Sequence, residues 1–333
     1  MLVTEAAGPN GVTTEYASAL PKSDIPIITT IANFRTWRDN AFKQGKTVGF
    51  VPTMGALHDG HMSLVHESLR ETDLTVVSIY INPAQVAPHE NIAAYPRTLD
   101  HDVHLLSTAR KPVTLFLPST NEMYPAGLSH SEPISTYVVP PPVLTSQMEG
   151  QSRPIFFRGV ATVVSKLLNI TLPTRVYFGA KDIQQALLMK HMIRELCPPT
   201  RVRIVRTVRE DQVGLALSSR NAWLCGVERE VAGALKCALE EVEKAWWGGM
   251  ACSDALWVGK RYVDEVRRVN EGKVEIRLDY IGMNDPRTFE PLDEDVKRSA
   301  SPGLGVILSG ALWVGKTRLI DNVLLGEVDW IFE

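Results

Sequence analysis

The amino-acid sequence predicts an α/β protein: a parallel-sheet domain with helices on both faces, followed by a smaller α+β domain. Strand-like and helix-like apolar patterns alternate from about residue 47 to residue 205, which is typical of parallel strands joined by crossover helices. After about residue 207, two long helical patterns come first and three strand-like patterns follow. The chain of 333 residues is long enough for two such domains.

In the first region, continuous apolar runs between turn residues predict buried strands, and apolar residues three and four apart predict helices. The predicted strands are residues 47–51, 74–81, 113–117, 175–178 and 200–205. The predicted helices are residues 62–69, 99–109, 159–170 and 183–196. Ligands of such sheets bind beyond the carboxyl ends of the strands.

The second region begins with helical patterns and ends with strand-like ones. The predicted helices are residues 227–247, ended by Gly248 and Gly249, and 253–269; the predicted strands are residues 274–281, 305–314 and 317–325. Residues 285–303 are rich in proline and charge and predict a long loop. We therefore expect a disordered extension over residues 1–25, a first domain over 26–207 and a smaller domain over 208–333.

Residues 310–317 formally match the P-loop pattern, but their composition disfavours one. A P-loop needs small residues between a strand and a helix, so that backbone N–H groups can wrap a phosphate. Here the bulky Leu312 and Trp313 occupy the loop positions, and the residues that follow alternate like a strand. We expect a β-hairpin with Gly315 and Lys316 at its turn.

The composition, 44% apolar and 22% charged, is that of a soluble globular protein. A net charge of −3 disfavours nucleic-acid binding as the main function. No apolar run reaches the length of a membrane span, and the first 25 residues resemble neither a secretory nor a mitochondrial signal. The four cysteines lack paired spacing and predict buried free thiols in a reducing compartment.

The most informative segment is residues 52–61, Pro-Thr-Met-Gly-Ala-Leu-His-Asp-Gly-His. It places His58 and His61 where a strand turns into a helix, and Gly60 lets a ligand approach the backbone. A helix start presents unpaired N–H groups and the positive end of the dipole, so it suits a phosphate. The segment suggests nucleotidyl transfer. For the histidines alone, two surface residues or a zinc site with His66 are open alternatives.

Three further polar clusters follow predicted strands: residues 82–85 (Asn-Pro-Ala-Gln), 178–185 (Phe-Gly-Ala-Lys-Asp-Ile-Gln-Gln) and 207–221. In the second cluster, Gly179 permits close approach, Lys181 supplies a positive charge for phosphate, and Asp182 can cap the next helix. In the third, two serines and an arginine at 218–220 form a compact phosphate clamp. Taken singly, each cluster is also compatible with an ordinary turn or polar loop.

Together these segments resemble the pantoate–β-alanine ligase (pantothenate synthetase) family, which belongs to the wider His-x-Gly-His nucleotidyltransferase superfamily. The resemblance extends over about residues 47–323 and is carried, in the family's order, by residues 52–61, 78–85, 95–98, 158–169, 177–185, 207–221 and 315–322. It implies a Rossmann-like nucleotidyltransferase domain with a parallel sheet and a smaller C-terminal α+β lid. It also implies condensation of (R)-pantoate with β-alanine through a pantoyl adenylate, releasing AMP and pyrophosphate, in coenzyme A biosynthesis.

The resemblance further implies ATP as a substrate, Mg²⁺ as cofactor, and a cytoplasmic homodimer with no nucleic-acid or membrane partner. The catalytic residues that it implies are His58, His61 as general acid toward the phosphates, Lys181 and Arg220. The implied ATP-binding residues are Thr53, Met54, Gly55, His58, Gly60, His61, Gly179, Lys181, Asp182, Val208, Leu217, Ser218, Ser219 and Arg220. The implied substrate-binding residues are Met54, Gln85, Val163, Val164 and Gln185, and the implied metal contact is Asp102.

The sequence departs from the usual family pattern in ways that bear on the pantoate pocket and the Mg²⁺ contacts. The departures are Phe156 for His, Arg206 for Pro, Leu217 for Met, Tyr80 and Val86 for Phe, His101 for an acid, and a loop over residues 210–214 that is one residue longer.

Two other function classes compete with the ligase. One is another His-x-Gly-His enzyme, such as a nucleotide adenylyltransferase or a small synthetase; an adenylyltransferase would not need Gln85 and Gln185 at its acceptor site. A tRNA synthetase would want a basic RNA-binding module and a Lys-rich motif in place of the Ser-Ser-Arg at 218–220. The other class is a non-catalytic scaffold, which loss of His61, Lys181 or Arg220 would have indicated, and none of the three is lost.

Overall fold

A computed structural model describes residues 20–86, 92–128, 135–211, 213–300 and 303–333. The strands are β1 (Ile27–Ile28), β2 (Val48–Thr53), β3 (Leu74–Ile79), β4 (Val113–Phe116), β5 (Arg175–Gly179), β6 (Arg201–Val205), β7 (Ile276–Asn284), β8 (Val306–Val314) and β9 (Thr317–Leu325). The helices are α1 (Ile31–Lys43), α2 (Asp59–Glu71), α3 (Leu99–Ser107), α4 (Thr120–Met123), α5 (Pro142–Thr145), α6 (Glu149–Ser152), α7 (Phe156–Thr171), α8 (Ile183–Leu196), α9 (Gly226–Val231), α10 (Ala234–Trp247) and α11 (Cys252–Val269). Residues 1–19 of the predicted disordered extension lie outside the described residues.

The first sheet is parallel throughout, in the order β1-β4-β3-β2-β5-β6. From β2 the chain builds outward through β3 and β4, and it then crosses back to place β5 on the other side of β2. Ligands of open parallel sheets bind beyond the carboxyl ends of the strands at such a switch point. The loops that follow β2 and β5 are therefore where a ligand site is expected.

Two hydrophobic cores cover the two faces of this sheet. Successive residues of a strand point to opposite faces, so Phe50 packs in the core formed with α1, α7 and α8, whereas Val51 packs in the core formed with α2 and α3. Phe34 and Leu188 lie in the first core and Val65 in the second. The predicted parallel sheet with helices on both faces is confirmed.

The second sheet is antiparallel, in the order β7-β8-β9, and packs against α10 and α11 around a core of its own. Gly310 permits close packing here, because a Cβ at that position would lie 3.0 Å from Leu235 of α10. The predicted hairpin is confirmed: β8 and β9 pair up to Val314 and Thr317, and Gly315 turns between them with a φ of +56°. The predicted α+β arrangement of this region is also confirmed.

Several predictions about individual elements were wrong. The pattern at residues 227–247 forms two helices, α9 and α10, because Gly233 lies at the break and weakens helix formation there. The short β1 and the helix α1 were missed, since two residues carry no periodicity and α1 buries only Phe34 and Ala41. The cysteines are free as predicted, but Cys197 and Cys225 are exposed rather than buried. None of the helices in the described ranges combines the length and apolarity needed to cross a bilayer.

Candidate active site

The turn after β2 is held by one buried carboxylate. Gly55 and Ala56 have left-handed backbone, with φ of +83° and +51°. Asp102, near the start of α3 and 1% exposed, accepts hydrogen bonds from the N–H groups of Ala56 (2.9 Å) and Leu57 (2.8 Å) and from the hydroxyl of Thr98 (3.0 Å). Burial raises the pKa of Asp102, and these hydrogen bonds oppose the rise. Asp102 thus fixes the turn that leads into α2.

His58 caps the start of α2. Its Nδ1 accepts a hydrogen bond from the N–H of Gly60 at 3.1 Å. Because Nδ1 is the acceptor, the neutral ring carries its proton on Nε2. A Cβ at Gly60 would lie 2.8 Å from the His58 ring, so any larger residue there would displace the histidine. The small size of Gly60 is therefore needed for the observed position of the His58 ring.

His61 lies against His58, with ring centroids 4.1 Å apart. Its Nδ1 is buried and has no hydrogen-bond partner among the described residues. Burial lowers the pKa of His61 to about 3, with His58 and Lys181 adding to the effect. Burial, and then Lys181, lower the pKa of His58 to about 4. Both imidazoles are therefore neutral at physiological pH in the ligand-free chain.

The turn after β5 faces these histidines with a positive charge. A Cβ at Gly179 would meet no described atom within 4 Å, so the end of β5 has open space beside it. Lys181 lies in the 3-10 turn Ala180–Asp182, its side chain is 16% exposed, and its Nζ is 3.7 Å from the Asp182 carboxylate. Asp182 lies at the predicted cap position of α8, but its side chain makes no capping hydrogen bond.

A third segment approaches the turn after β2 from the region beyond β6. The N–H of Leu217 donates to the carbonyl of Val208 at 3.0 Å, and the Cβ of Leu217 would lie 3.5 Å from a Cβ at Gly60. The hydroxyl of Ser219 donates to the carbonyl of Ala56 at 3.0 Å. The segment predicted as a phosphate clamp therefore lies beside the turn that carries the histidines.

Ser218 and Arg220 complete this segment. The Ser218 hydroxyl accepts from the N–H of Arg220 at 3.3 Å and so caps the 3-10 turn Ser219–Trp223. Burial raises the pKa of Tyr95, whereas a hydrogen bond to the Ser219 side chain and the nearby Arg220 lower it. Tyr95 thus joins this site, although we did not predict it as a site residue.

Residues predicted to bind the acid substrate lie further along the same edge of the sheet. The Gln85 amide donates to the Met54 sulfur at 3.4 Å and accepts from the Asn82 amide at 2.9 Å. Gly159 of α7 permits this arrangement, because a Cβ there would lie 2.3 Å from the carbonyl of Ala84. Asn82 is 1% exposed and was missed as a site residue, although it lies within a segment that carries the family resemblance.

The remaining predicted binding residues lie in the strand β2 and in the helices α7 and α8. The Thr53 hydroxyl donates to the carbonyl of Ser78 at 2.7 Å across β2 and β3. Gln185 is half-buried on α8. Val163 and Val164 of α7 are 5% and 4% exposed and pack in the hydrophobic core, so their contact with a substrate stays a prediction.

The second sheet contributes a residue that sequence reasoning missed. Asn322 of β9 donates from its amide nitrogen to the carbonyls of Ala180 (2.9 Å) and Lys181 (2.8 Å). Its neighbour Asp321 forms a two-bond ion pair with Arg209, at 2.5 and 2.8 Å. The available signal was the pair of adjacent polar residues, Asp321 and Asn322, between apolar residues of the predicted strand.

The described residues contain no group of three or more His, Cys, Asp or Glu side chains that could hold a metal ion. Both oxygens of Asp102 accept hydrogen bonds from the protein, so this geometry does not favour the predicted metal contact. His66 is exposed on α2, and Nδ1 of His58 is occupied by Gly60, which disfavours the zinc alternative. Mg²⁺ usually takes most of its ligands from substrate phosphates and water, so such a site needs few protein carboxylates.

The fold and the site define an α/β protein with a parallel sheet that places paired histidines at the start of a helix and a lysine in the turn after β5. The family model for pantoate–β-alanine ligase matches residues 26–324, and the chain belongs to this family. The predicted enzyme class, a ligase, is confirmed by that membership.

Similar proteins and similar solved structures support the same family. The chain is 42% identical over 303 residues to pantothenate synthetase of Moorella thermoacetica, covering 90% of this chain and 98% of that one. It is 41% identical over 302 residues to the Brucella ovis pantothenate synthetase, covering 90% and 96%. Its structure resembles pantothenate synthetase from Thermus thermophilus, with TM-score 0.77, 38% identity and coverage of 90% and 99%. It also resembles Francisella tularensis pantoate–β-alanine ligase complexed with beta-gamma ATP and β-alanine, with TM-score 0.70, 31% identity and coverage of 91% and 100%.

Proposed function

We propose that this chain condenses pantoate with β-alanine in two steps, through a pantoyl adenylate formed from ATP. The observation that carries the proposal is the meeting of three segments at the switch point of the parallel sheet. These are the histidine pair at the start of α2, Lys181 after β5, and residues 218–220. Together they offer uncharged N–H groups, an ammonium, hydroxyls and a guanidinium to a triphosphate.

In the first step, a carboxylate oxygen of pantoate attacks the α-phosphorus, and the bond from that phosphorus to the pyrophosphate oxygen breaks. Negative charge grows on the departing pyrophosphate. We assign hydrogen bonds to this pyrophosphate to His58, through Nε2–H, and to Lys181, and Arg220 would add a forked pair of donors. Removing one preorganised donor of this kind typically costs about 3 kcal/mol of barrier.

We predicted His61 as the general acid toward the phosphates, and its neutral state in the absence of a ligand limits that role. A pKa of about 3 leaves no imidazolium to act as general acid when the site is empty. A bound phosphate favours the charged form, because an opposite charge raises the pKa of a nearby histidine. We assign His61 a hydrogen bond to the phosphates on binding, and proton donation only as negative charge grows beside it.

In the second step, the neutral amine of β-alanine attacks the acyl carbon, the bond from that carbon to the AMP oxygen breaks, and the nitrogen releases its extra proton to solvent as AMP leaves. Pantoate carries two hydroxyls and two methyl groups on a short acid. The amides of Gln85 and Gln185 suit its hydroxyls, and Met54, Val163 and Val164 suit its methyls. The enzyme then needs only to orient the two reactants and exclude water.

Mg²⁺ belongs to this proposal as the partner of ATP. It neutralises phosphate charge and would be held by phosphate oxygens and water, with no protein ligand assigned. The homodimer, the cytoplasmic location and the domain boundary between residues 207 and 208 are proposed from the family resemblance and the sequence pattern.

Pyrophosphate–ATP exchange tests the proposal directly. Purified protein is incubated with ATP, Mg²⁺ and labelled pyrophosphate, with and without pantoate and without β-alanine. Pantoate-dependent exchange is expected, followed by AMP and pantothenate on addition of β-alanine. Exchange that depends on an added nucleotide acceptor in place of pantoate would favour a nucleotide adenylyltransferase, and no exchange by folded protein with pantoate would contradict the proposal. Chelation by EDTA tests the Mg²⁺ requirement, and sedimentation tests the homodimer.

A further inference from the structure

Asn322 belongs to the second sheet, yet its side chain is bonded to the turn that carries Lys181. Its amide nitrogen has two N–H groups and is bonded to two successive carbonyls, of Ala180 and Lys181. The side chain is 7% exposed, so both bonds are shielded from water. We infer that Asn322 is a positioning residue for adenylate formation, acting through Lys181. This inference rests on the proposed function of the site.

The turn at residues 180–182 needs such a contact because the residues at its two ends do little to fix it. Asp182 stands at the cap position of α8 without a capping hydrogen bond, and Gly179 before the turn has open space beside it. Two bonded carbonyls fix two consecutive peptide planes, and those planes set the direction of the Lys181 side chain. A misplacement of about 1 Å in a positioning group can cost a hundredfold in rate.

Asn322 is itself anchored to the segment that leads to residues 218–220. Its backbone N–H donates to the Asp321 carboxylate at 2.8 Å, and the same carboxylate holds Arg209. Arg209 also donates to the carbonyl of Gly214 at 3.1 Å. Asp321 and Asn322, adjacent in β9, therefore connect the turn at residues 180–182 with Arg209, which lies in the segment leading to residues 218–220.

The competing explanation is that Asn322 only joins the second sheet to the first domain. The second sheet, however, is also attached to that domain elsewhere. Arg318 of β9 forms two hydrogen bonds with Glu149 of α6, at 2.7 and 3.0 Å, and also bonds to Asp279. These contacts do not involve the 180–182 turn. Losing the Asn322 amide therefore leaves the sheets joined and frees the turn.

The test compares Asn322→Asp with Asn284→Asp in the full-length protein. Asn284 is a matched control: it is 5% exposed in the same sheet, and its amide donates to the carbonyl of Phe289 at 2.8 Å, away from Lys181. Both changes keep the volume and remove the donors. We expect Asn322→Asp to lower kcat of pantoate-dependent pyrophosphate exchange by roughly 10- to 100-fold, with KM for pantoate within about twofold. Asn284→Asp is expected to lower Tm and leave kcat within about twofold.

A double substitution tests whether Asn322 acts through the lysine. In a Lys181→Ala background, Asn322→Asp should lower exchange by less than about twofold further, because groups that act as a unit are not additive. The inference would be overturned if Asn322→Asp lowered exchange by the same factor in the Lys181→Ala background as in the wild type. It would also be overturned if Asn322→Asp and Asn284→Asp had equal kcat. Absence of exchange in the wild type would instead contradict the proposed function. If Asn322→Asp does not fold, Asn322→Ser is judged by the same criteria.

Discussion

Two turns meet at the switch point of the parallel sheet, and they are stabilised in different ways. The turn after β2 is held chiefly within the first sheet's own layers, by Asp102 and by the hydrogen bond that His58 accepts from Gly60, with one further bond from Ser219. The turn after β5 is fixed by Asn322, a residue from the second sheet. The histidine pair is therefore preformed locally, whereas the position of Lys181 depends on how the second sheet packs.

The two turns also differ in charge. The histidines are neutral because their surroundings disfavour the protonated ring, whereas Lys181 keeps part of its side chain exposed beside a carboxylate. A neutral N–H donor can be buried before the substrate arrives without the cost of an unpaired buried charge. The turn after β2 thus supplies prearranged hydrogen bonds, and the turn after β5 supplies the positive charge.

Replacing His61 should have the largest effect, because it removes a prearranged donor and an acid–base group together. We expect His61→Ala to lower turnover by roughly a thousandfold, the middle of the range for positioned acid–base groups, without loss of folding. Steady-state production of AMP measures it, with circular dichroism as the folding check. His66→Ala, an exposed histidine on the same helix, is the control. Turnover of His61→Ala within tenfold of wild type would refute its assigned role.

Replacing Lys181 tests whether the charged turn serves only one of the two steps. Lys181→Ala should slow adenylate formation by about a hundredfold, since one transition-state donor is lost. The second step expels AMP and no pyrophosphate, so it should slow much less. Single-turnover measurements of the two steps separate them. Equal loss in both steps would show that Lys181 does not act on the pyrophosphate.

Asp102→Asn distinguishes a residue that fixes a turn from a metal ligand. The substitution should lower the free energy of unfolding by roughly 2 kcal/mol, because the new amide cannot accept from all of the donors that the carboxylate accepts from. Urea unfolding measures this loss. The Mg²⁺ concentration that gives half-maximal exchange should stay unchanged. A large increase in that concentration with unchanged stability would restore the predicted metal contact.

Lowering the pH should gradually lower the free energy of unfolding of the protein, through the two histidines of the turn after β2. At His58 and His61, the unfolded chain binds more protons than the folded chain between about pH 6.5 and pH 3, because the folded-state pKa values of these histidines are lowered to about 4 and 3. The free energy of unfolding therefore falls as pH falls, by about 1.4 kcal/mol per pH unit for each histidine. Urea titrations at several pH values should show a shallower fall for His61→Asn, by roughly 2 kcal/mol at pH 5. An identical slope for His61→Asn and wild type would contradict the buried neutral state.

The sequence by itself determined the fold class, the family and the local motifs. Strand and helix patterns are short-range, so the parallel sheet, α8 and the β8–β9 hairpin could be predicted from neighbouring residues. The segment at residues 52–61 was readable for the same reason, since His58, Gly60 and His61 interact within one turn of chain. The helix break at Gly233 and the short β1 were missed because their periodic signals are weak.

Only the tertiary structure decided which residues hold the site together. Asp102 and Ala56 are far apart in the sequence, as are Asn322 and Lys181, and nothing in local pattern pairs them. The protonation of the histidines was likewise beyond the sequence, because a pKa depends on burial and on charges that folding brings near. The sequence determined which chemical groups this protein has, and tertiary contacts, within the first sheet's layers for the histidines and from the second sheet for Lys181, decided where those groups lie.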